Sequence, residues 1–268
     1  FSRVCAKRKV SDKRRGRRNS VFVIMTEPTA LAHEAIHRTV ENILRDVSRG
    51  RLLDTPAGEG ALALRLQRLG YDVACCDLYP EIFRADGIEI RSGNLDTRLP
   101  YDDHAFDNIV CVEGLEHIQN PSNAISEFSR LIRSGGTLIV SVPNIMNIEE
   151  RLKWLINGYT SHFKPLSAEV RAEAQRITHG MVEMALHVNP ISYSEIRFLL
   201  EKYGFILERT YRDKRKANSW AYLPIVGIIR LISLFSDPAK RKERWTDELN
   251  SNEVLLGGNT LIFKARKL

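Results

Sequence analysis

Two acidic residues follow short apolar stretches, and each could bind a different part of a small polar ligand. Asp54 comes directly after Leu52 and Leu53, and Asp77 follows 23 residues later, after the stretch 71–76. A carboxylate at the end of a second strand can accept hydrogen bonds from both hydroxyls of a ribose. A carboxylate at the end of the first strand repels phosphate and attracts a cationic group. The pair therefore favours a ligand with ribose hydroxyls and a cationic amino-acid part.

A turn of small residues separates Asp54 from a helical pattern that begins at Ala61. Gly58 and Gly60 let the backbone approach a ligand closely, and the free N–H groups of the following helix attract an anion or a polar tail. Residues 58–63 also satisfy the loose dinucleotide pattern G-x-G-x-x-G/A. In nicotinamide enzymes the glycines follow the strand directly and admit a pyrophosphate, so the carboxylate of Asp54 argues against a dinucleotide.

Candidate catalytic residues, Glu113, Glu116 and His117, follow the apolar stretch 106–112. If residues 114–118 are helical, side chains three and four positions apart project to one side and bring two carboxylates and an imidazole together. Such a group can act as a general base, with the histidine near neutral pKa and a carboxylate orienting it. It can also bind a divalent metal that lowers the pKa of a bound hydroxyl. The structural alternative is that Glu116 and His117 only cap and anchor the helix.

The elements that must position these residues alternate between strand and helix patterns. Apolar residues at helical spacing across 29–48 predict an amphipathic helix before the first strand. Further strands are predicted at 87–90, 106–112, 137–142, 205–211 and 259–265, and further helices at 121–133 and after the capping box Ser192-x-x-Glu195. This alternation predicts an α/β protein that binds its ligand at the carboxyl edge of the sheet.

Several further motifs follow the first acid in a fixed order. They are Leu99-Pro100-Tyr101, Phe106-Asp107, the segment from Glu113 to His117, and a helix followed by Gly135-Gly136, a strand and Pro143-Asn144. The chain resembles the class I S-adenosylmethionine-dependent methyltransferases, and more specifically the bacterial ones related to ubiquinone biosynthesis, over residues 51–144 and 191–211. Two positions depart from that family, because Pro56 stands where a glycine is usual and Asn94 stands where an aspartate is usual.

The resemblance implies a Rossmann-like, seven-stranded, mostly parallel sheet with an antiparallel last strand and helices on both faces. It implies S-adenosyl-L-methionine as the cofactor, with the amino-acid end at the first turn, the ribose at the second strand and the adenine beside the third. The implied cofactor-binding residues are Asp54, Ala57, Gly58, Gly60, Asp77, Leu78, Asn94, Leu95 and Glu113.

The resemblance also implies methyl transfer, with His117 and Glu116 as catalytic residues. The expected acceptor is a hydroxyl on a small-molecule, lipid-linked or glycolipid substrate. In the metal-dependent methyltransferases of the ubiquinone pathway and the small-RNA 2′-O-methyltransferases a downstream histidine completes a metal site, and His187 is the candidate here. Metal binding and general-base catalysis both remain open at this stage. The alternative functions are an RNA 2′-O-methyltransferase with a metal site, and a non-catalytic adaptor that retains the fold and binds membranes or a partner.

The net charge of +7 is concentrated at the start of the chain. Residues 1–24 hold nine basic residues and one acidic residue, so residues 25–268 carry a net charge of −1. We therefore predict a basic disordered leader at 1–24 and a methyltransferase domain at 25–268, whose near-neutral charge argues against a nucleic-acid partner. Cys5, Cys75, Cys76 and Cys111 lack metal-ligand spacing, which predicts buried thiols in a reducing cytoplasm.

Two insertions interrupt the predicted domain. Residues 145–190 are predicted as a lid over the acceptor, and residues 212–258 separate two strands that the family joins by a hairpin. The second insertion contains an apolar stretch at 220–235 with basic clusters on both sides. A spanning helix needs about 20 apolar residues, so this stretch is too short to cross a membrane. It predicts either peripheral attachment to an anionic inner membrane face through residues 213–245, or a helix packed on the core or in a dimer interface.

Overall fold

The computed structural model of the chain describes residues 27–216 and 219–268. The predicted leader at 1–24, with Cys5, lies outside these ranges. The described residues form seven strands: β1 (Arg51–Asp54), β2 (Asp72–Asp77), β3 (Glu89–Ser92), β4 (Phe106–Cys111), β5 (Ile132–Pro143), β6 (Phe205–Arg212) and β7 (Thr260–Lys267).

The strands lie in one sheet of order β3-β2-β1-β4-β5-β7-β6. The pairs among β1 to β5 are parallel, whereas β7 pairs antiparallel with both β5 and β6, so that β6 runs parallel to β5. The predicted fold, with its antiparallel last strand, is confirmed. The strand order reverses between β1 and β4, and ligands of open α/β sheets bind beyond the carboxyl ends of the strands at this point.

The helices of the described residues surround this sheet. They are α1 (Glu34–Arg45), α2 (Ala61–Arg68), α3 (Pro121–Leu131), α4 (Ile148–Asn157), α5 (Ala168–Ile177), α6 (Tyr193–Lys202), α7 (Leu223–Leu234), α8 (Pro238–Glu243), α9 (Thr246–Leu249) and α10 (Asn252–Leu255). The predicted cap at Ser192 is present, because its side chain accepts a hydrogen bond from the backbone N–H of Glu195. No helix in the described ranges combines the length and the apolar character needed to cross a bilayer.

Each face of the sheet is covered by a separate apolar core. Neighbouring strand residues alternate between them, so that Leu53 and Ile109 face the core formed with α3 and α6. Leu52 and Val110 face the other core, which is formed with α1 and α2. This alternation follows from the two-residue period of strands and confirms that helices cover both faces. The described cysteines, Cys75, Cys76 and Cys111, are buried free thiols, as predicted.

The fifth strand begins earlier than predicted. We expected Gly135 and Gly136 to stop the preceding helix before a strand at 137, but α3 ends at Leu131 and β5 begins directly at Ile132. Both glycines therefore lie inside the strand, where the pairing with β4 shifts register between Phe106 and Asn108. Gly136 is required there, because an added Cβ would lie 2.5 Å from the backbone oxygen of Asp107.

Other boundaries also differ, and the helix predicted across 29–48 covers only Glu34–Arg45. The third strand begins at Glu89 instead of 87, after Gly87 takes a left-handed conformation with φ of 76°. The last strand extends to Lys267 instead of 265. The pairing of β6 with β7 also contains an irregularity between Leu207 and Arg209.

Both predicted insertions are largely helical. Residues 145–190 contain α4, α5 and a 3₁₀ turn at Val182–Met184, and the second insertion contains a 3₁₀ turn at Ser219–Tyr222 followed by α7 to α10. Their roles as acceptor lid and membrane segment stay predictions.

Candidate functional site

The carboxyl ends of β1, β2 and β4 border a cavity of about 710 Å³. Its lining includes most of the residues predicted to bind the cofactor, together with the two predicted histidines: Asp54, Ala57, Gly58, Asp77, Leu78, Asn94, Leu95, Glu113, His117 and His187. Gly60 and Glu116 do not line this cavity. The two predicted groups of chemistry-bearing residues therefore share one cavity.

The turn after β1 is held close to the sheet by its backbone. The N–H of Thr55 donates to Val110 and that of Ala57 donates to Cys76, so the turn is tied to both neighbouring strands. Gly60 has φ of 89° and provides the N-cap of α2, and an added Cβ there would lie 2.6 Å from the side chains of Ala85 and Phe83. Gly60 therefore shapes the turn without lining the cavity.

Asp54 is buried with an unsatisfied carboxylate oxygen. It is 1% exposed, and its Oδ2 has no hydrogen-bond partner within the described part of the chain. Burial, reinforced by the nearby Asp77, raises the pKa of the Asp54 carboxyl to about 8. A carboxyl in this state either holds a proton or binds a cation that restores its charge.

Asp77 connects the end of β2 to the turn. Its Oδ2 accepts a hydrogen bond of 2.8 Å from the N–H of Gly58, and its Oδ1 accepts one of 2.9 Å from the N–H of Tyr79. Each carboxylate oxygen can accept a second hydrogen bond, because it has two lone pairs. The carboxylate is thus fixed in orientation and can still bind two ligand hydroxyls.

Asn94, predicted to meet the adenine, uses its side chain locally. Its Oδ1 accepts a hydrogen bond of 2.8 Å from the N–H of Asp96. Asp96 also lines the cavity, and its carboxylate accepts from the N–H groups of Gln119 and Asn120. This contact joins the loop after β3 to the start of α3, a connection that sequence reasoning missed.

His37 is a further cavity residue that sequence reasoning missed. It lies on α1, is 5% exposed, and its Nδ1 has no hydrogen-bond partner in the described residues. Burial, with a smaller contribution from Arg65, lowers the pKa of His37 to about 4. The sequence does indicate that His37 is buried. It precedes Val40 by three residues and Leu44 by seven, a spacing that places all three on the buried side of the amphipathic helix.

Glu116, His117 and His187 form a compact group at the same cavity. One potential ligand atom from each lies within 4.8 Å of the others. The two imidazoles meet edge to face with ring centroids 4.7 Å apart, and the ring of His162 stacks on His187 at 6.0 Å. Glu116 is fully buried, and neither carboxylate oxygen has a hydrogen-bond partner among the described residues.

Backbone contacts bring the distant histidine to this group. The carbonyl of Glu116 accepts hydrogen bonds from the N–H groups of Val188 and Asn189 at 2.9 and 3.0 Å. His117 Nδ1 lies 3.0 Å from the carbonyl oxygen of Leu186. Because a carbonyl only accepts, Nδ1 carries the proton of the neutral ring, and Nε2 carries the lone pair that a base or a metal ligand needs.

The surroundings oppose charge on Glu116 and on His187. Burial raises the pKa of Glu116 well above its usual range, and Glu113 adds to this effect. Burial also lowers the pKa of His187 to about 4, with contributions from His117 and His162. A buried acid beside two imidazoles, without hydrogen bonds to its oxygens, gains charge balance from a proton on an imidazole or from a bound cation.

Glu113 does not belong to this group, which corrects our expectation that residues 113, 116 and 117 project to one side. The segment forms only one 3₁₀ turn, Leu115–His117, and Glu113 precedes it in a left-handed conformation with φ of 47°. The Glu113 carboxylate instead accepts a hydrogen bond of 3.0 Å from the hydroxyl of Thr260 on β7. Glu113 therefore lines the cavity from a different side.

The sheet order, the turn after β1 and the strand-end acids define the class I S-adenosylmethionine-dependent methyltransferase fold. A family model described as a methyltransferase domain matches residues 29–210, which is more than half of the chain. The chain belongs to this methyltransferase family. Fold and family together imply S-adenosylmethionine as the cofactor.

Known proteins support this assignment. The chain is 32% identical over 108 residues to a ubiquinone biosynthesis O-methyltransferase of Xanthomonas oryzae, a match that covers 37% of this chain and 45% of that relative's length. An S-adenosylmethionine-dependent methyltransferase structure from Archaeoglobus fulgidus has a TM-score of 0.52 at 14% identity, covering 86% of this chain and 94% of that one. One from Mesorhizobium loti has a TM-score of 0.52 at 16% identity, covering 89% and 100%. These structural matches show the fold.

The cavity fits this cofactor. Its volume lies in the range typical of small-molecule sites, roughly 300–1,000 Å³. Asp54 Oδ2, which no described residue contacts by a hydrogen bond, offers a binding position for the cationic amino-acid part. The fixed Asp77 carboxylate offers acceptors for ribose hydroxyls. An added Cβ at Gly58 would lie 2.8 Å from the side chain of Leu31, so glycine lets the turn approach the segment before α1 without a clash.

Proposed function

We propose that this protein transfers a methyl group from S-adenosylmethionine to a hydroxyl oxygen of a small, lipid-linked or glycolipid acceptor. The observation that carries this proposal is the shared cavity, which has the turn after β1 at one part of its wall and His117 and His187, close to the buried Glu116, at another. Methyl transfer needs a bound cofactor and a deprotonated acceptor side by side. The turn after β1 would bind the cofactor, and the histidine group would deprotonate the acceptor.

Asp54, Asp77 and the turn would hold the cofactor. Asp54 would bind the ammonium of the amino-acid end, Asp77 would accept from the ribose hydroxyls, and the backbone of Gly58 would lie against the ligand. Asn94 and Leu95 would border the adenine. When bound, S-adenosylmethionine supplies an electrophilic methyl group on a sulfonium.

His117 would remove the proton from the acceptor hydroxyl. Its Nδ1 donates to the Leu186 carbonyl, which leaves the lone pair on Nε2 as the proton acceptor. Glu116 lies beside the imidazole ring, and in its ionised form it would offset the positive charge of that ring when His117 is protonated. Of this group Glu116 is buried, whereas His117 lines the cavity and would meet the acceptor hydroxyl there.

A divalent metal held by Glu116, His117 and His187 is the second way in which this group could act. The observation that favours it is that neither Glu116 oxygen has a hydrogen-bond partner among the described residues, although two imidazoles lie next to them. One carboxylate and two histidines are a common ligand set for divalent transition metals, and a metal there would lower the pKa of a bound hydroxyl. A chelator should abolish activity if the metal is required, and it should leave activity unchanged if His117 acts as a general base without a metal.

The relatives favour an acceptor with a lipid part. A ubiquinone biosynthesis O-methyltransferase is among them, and we propose a hydroxyl of an isoprenylated aromatic precursor as the acceptor of this chain. The methyl acceptor would lie between the cofactor and His187, beneath the segment 145–190, which we propose as its lid.

Transfer of labelled methyl groups tests this proposal. We expect label from S-adenosylmethionine to enter an isoprenylated phenol and to remain absent from an RNA oligonucleotide. His117→Ala should lower kcat by about 10²- to 10⁴-fold, the usual contribution of a general base, and leave cofactor affinity unchanged. His179→Asn is the matched control, because His179 is exposed and does not line the cavity.

Three outcomes would contradict parts of the proposal. Equal turnover by wild type and His117→Ala would remove the base assignment. Full activity in chelator, with no gain on adding Zn²⁺ or Mg²⁺, would remove the metal. Calorimetry that gives the same cofactor affinity for Asp77→Ala as for wild type would remove the ribose assignment, and label in RNA alone would favour the RNA methyltransferase alternative.

A further inference from the structure

One side of α7 is an apolar surface that methyl transfer does not use. The residues Ile225, Ile228, Ile232 and Phe235 recur at spacings of three and four positions, and all are exposed, Phe235 to 83%. Residues at this spacing lie on one side of a helix. We call these four residues the apolar stripe.

The opposite side of α7 is already packed. Val226 is buried and contacts Ile148 of α4, together with Leu255 and Leu256. Arg230, the charged residue within α7, donates through Nη2 to the carbonyl of Asn250 at 3.0 Å. Packing against the protein core thus explains the apolar residues on the inner side of α7, but it does not explain the apolar stripe.

Basic residues lie at both ends of the apolar stripe. Lys240, Lys242 and Arg244, shortly after α7, are exposed and form no ion pair with any residue in the described ranges. At the other end Arg212 and Arg215 line, with Leu223 and others, a second cavity of about 310 Å³. Residues 212–244 carry a net charge of +6, whereas the rest of 25–268 carries −7. The positive charge is therefore local to this surface.

We propose that the apolar stripe docks on the surface of an anionic lipid bilayer, with the basic residues at its two ends facing lipid phosphates. Apolar side chains gain free energy when they enter the headgroup boundary, and each nearby Lys or Arg adds attraction to anionic lipid. A second copy of the chain fits less well. A two-fold contact sets this surface against itself and brings basic ends against basic ends in either orientation.

The sheet topology sets what docking does to the site. β6 runs parallel to β5, and Arg212 at its end pairs with Leu261 near the start of β7. The second insertion therefore leaves and re-enters the sheet at the carboxyl edge, where the cavity lies. Docking through α7 holds that edge near the bilayer, whatever acceptor the cavity takes.

Binding of the full chain to vesicles tests the proposal. We would compare phosphatidylcholine vesicles with vesicles containing about 30% phosphatidylglycerol, by co-sedimentation and by tryptophan emission. Trp220 is exposed beside the start of α7, and residues 1–26 contain no tryptophan, so emission does not report on the basic leader. We expect a blue shift and pelleting with the anionic vesicles only, and loss of the shift in Trp220→Phe.

The triple variant Ile228→Ser/Ile232→Ser/Phe235→Ser should weaken vesicle binding by about tenfold or more, because three apolar side chains no longer enter the boundary. Lys240→Glu/Lys242→Glu should weaken it on anionic vesicles as well. Phe198→Ser in α6 is the matched control, since Phe198 is also exposed, to 54%, and should bind like wild type. Unchanged binding of the triple variant would overturn the proposal. A wild-type dimer that becomes a monomer in the triple variant would overturn it in favour of a second copy.

Discussion

The Asp54 carboxyl shows how a single buried group links ligand binding to protons. Its oxygen Oδ2 has no partner in the described residues, and its pKa of about 8 keeps it largely protonated at neutral pH. A cationic ligand favours the ionised form. Binding of such a ligand therefore lowers the pKa of Asp54 and releases its proton.

This linkage predicts proton release when S-adenosylmethionine binds. Below about pH 8 up to about one proton should leave, so that the affinity rises with pH toward that point. Calorimetry at pH 7 in two buffers of different ionisation enthalpy measures the number of protons. Asp54→Asn should abolish the release and weaken binding. If the heat of cofactor binding to wild type is the same in both buffers, no proton is released. That result would contradict both the raised pKa of Asp54 and the position of the cationic group beside it.

Residue types and spacing predicted part of this site. Asp54 and Asp77 could be found because the ends of parallel strands meet at one edge, and His117 because it follows such an end. His187 was suggested by resemblance alone, since its position depends on hydrogen bonds from Val188 and Asn189 to the carbonyl of Glu116. His37 was missed, because its spacing from Val40 and Leu44 predicts the buried side of α1 but does not show that this side borders the cavity.

At the scale of elements, the turn after β1 and the 3₁₀ turn after β4 fit each other closely. Pro56, which stands where a glycine is usual in the family, packs against Gly114. An added Cβ at Gly114 would lie 2.5 Å from Pro56 Cδ and 3.2 Å from Cys111 Sγ. The bulk of Pro56 is thus accommodated by the absence of a side chain on the facing element.

This fit predicts that Gly114→Ala displaces the turn after β1. We expect a loss of about 1–3 kcal/mol in the free energy of unfolding, measured in urea, together with weaker cofactor binding. The control is Gly227→Ala in α7, where an added Cβ meets nothing within 4 Å. That substitution should be neutral or stabilise the helix, by up to about 1 kcal/mol. If Gly114→Ala and Gly227→Ala change the free energy of unfolding equally, the turn after β1 and the 3₁₀ turn after β4 can move apart without cost, and the prediction is wrong.

Element boundaries were harder to predict than element order. The order of strands and helices follows from apolar periodicity and was correct throughout 51–144. The start of β5 was missed by five residues, because Gly135 and Gly136 are typical of a helix end as well as of an irregular strand. The register shift opposite Phe106 shows that these glycines belong to an irregular strand. A local sequence pattern does not reveal such a shift, because it depends on pairing between distant strands.

At the scale of the molecule, two cores share one sheet. Ile125 on α3 and Ile36 on α1 are almost fully buried, and they lie in the separate cores on the two faces. No buried residue of the described ranges belongs to both cores. Each core should therefore respond to a substitution without changing the packing of the other.

Two conservative substitutions test this independence. Ile125→Val and Ile36→Val should each lower the free energy of unfolding by about 0.5–1.5 kcal/mol. The double variant should lose the sum of the two within about 0.5 kcal/mol, since sites without shared partners add. Urea titrations of the four proteins give the values. A larger coupling would mean that the sheet transmits packing changes from one face to the other.

The two edge strands of the sheet are poor templates for polymerisation. The strand order leaves β3 and β6 at the two edges, and an exposed strand edge is a template on which another chain can add. β3 has only four residues, and β6 combines an irregular pairing between Leu207 and Arg209 with charged side chains along its length. Neither edge offers the long, flat and apolar strand from which fibrils grow, so concentrated solutions of this protein should resist amyloid formation.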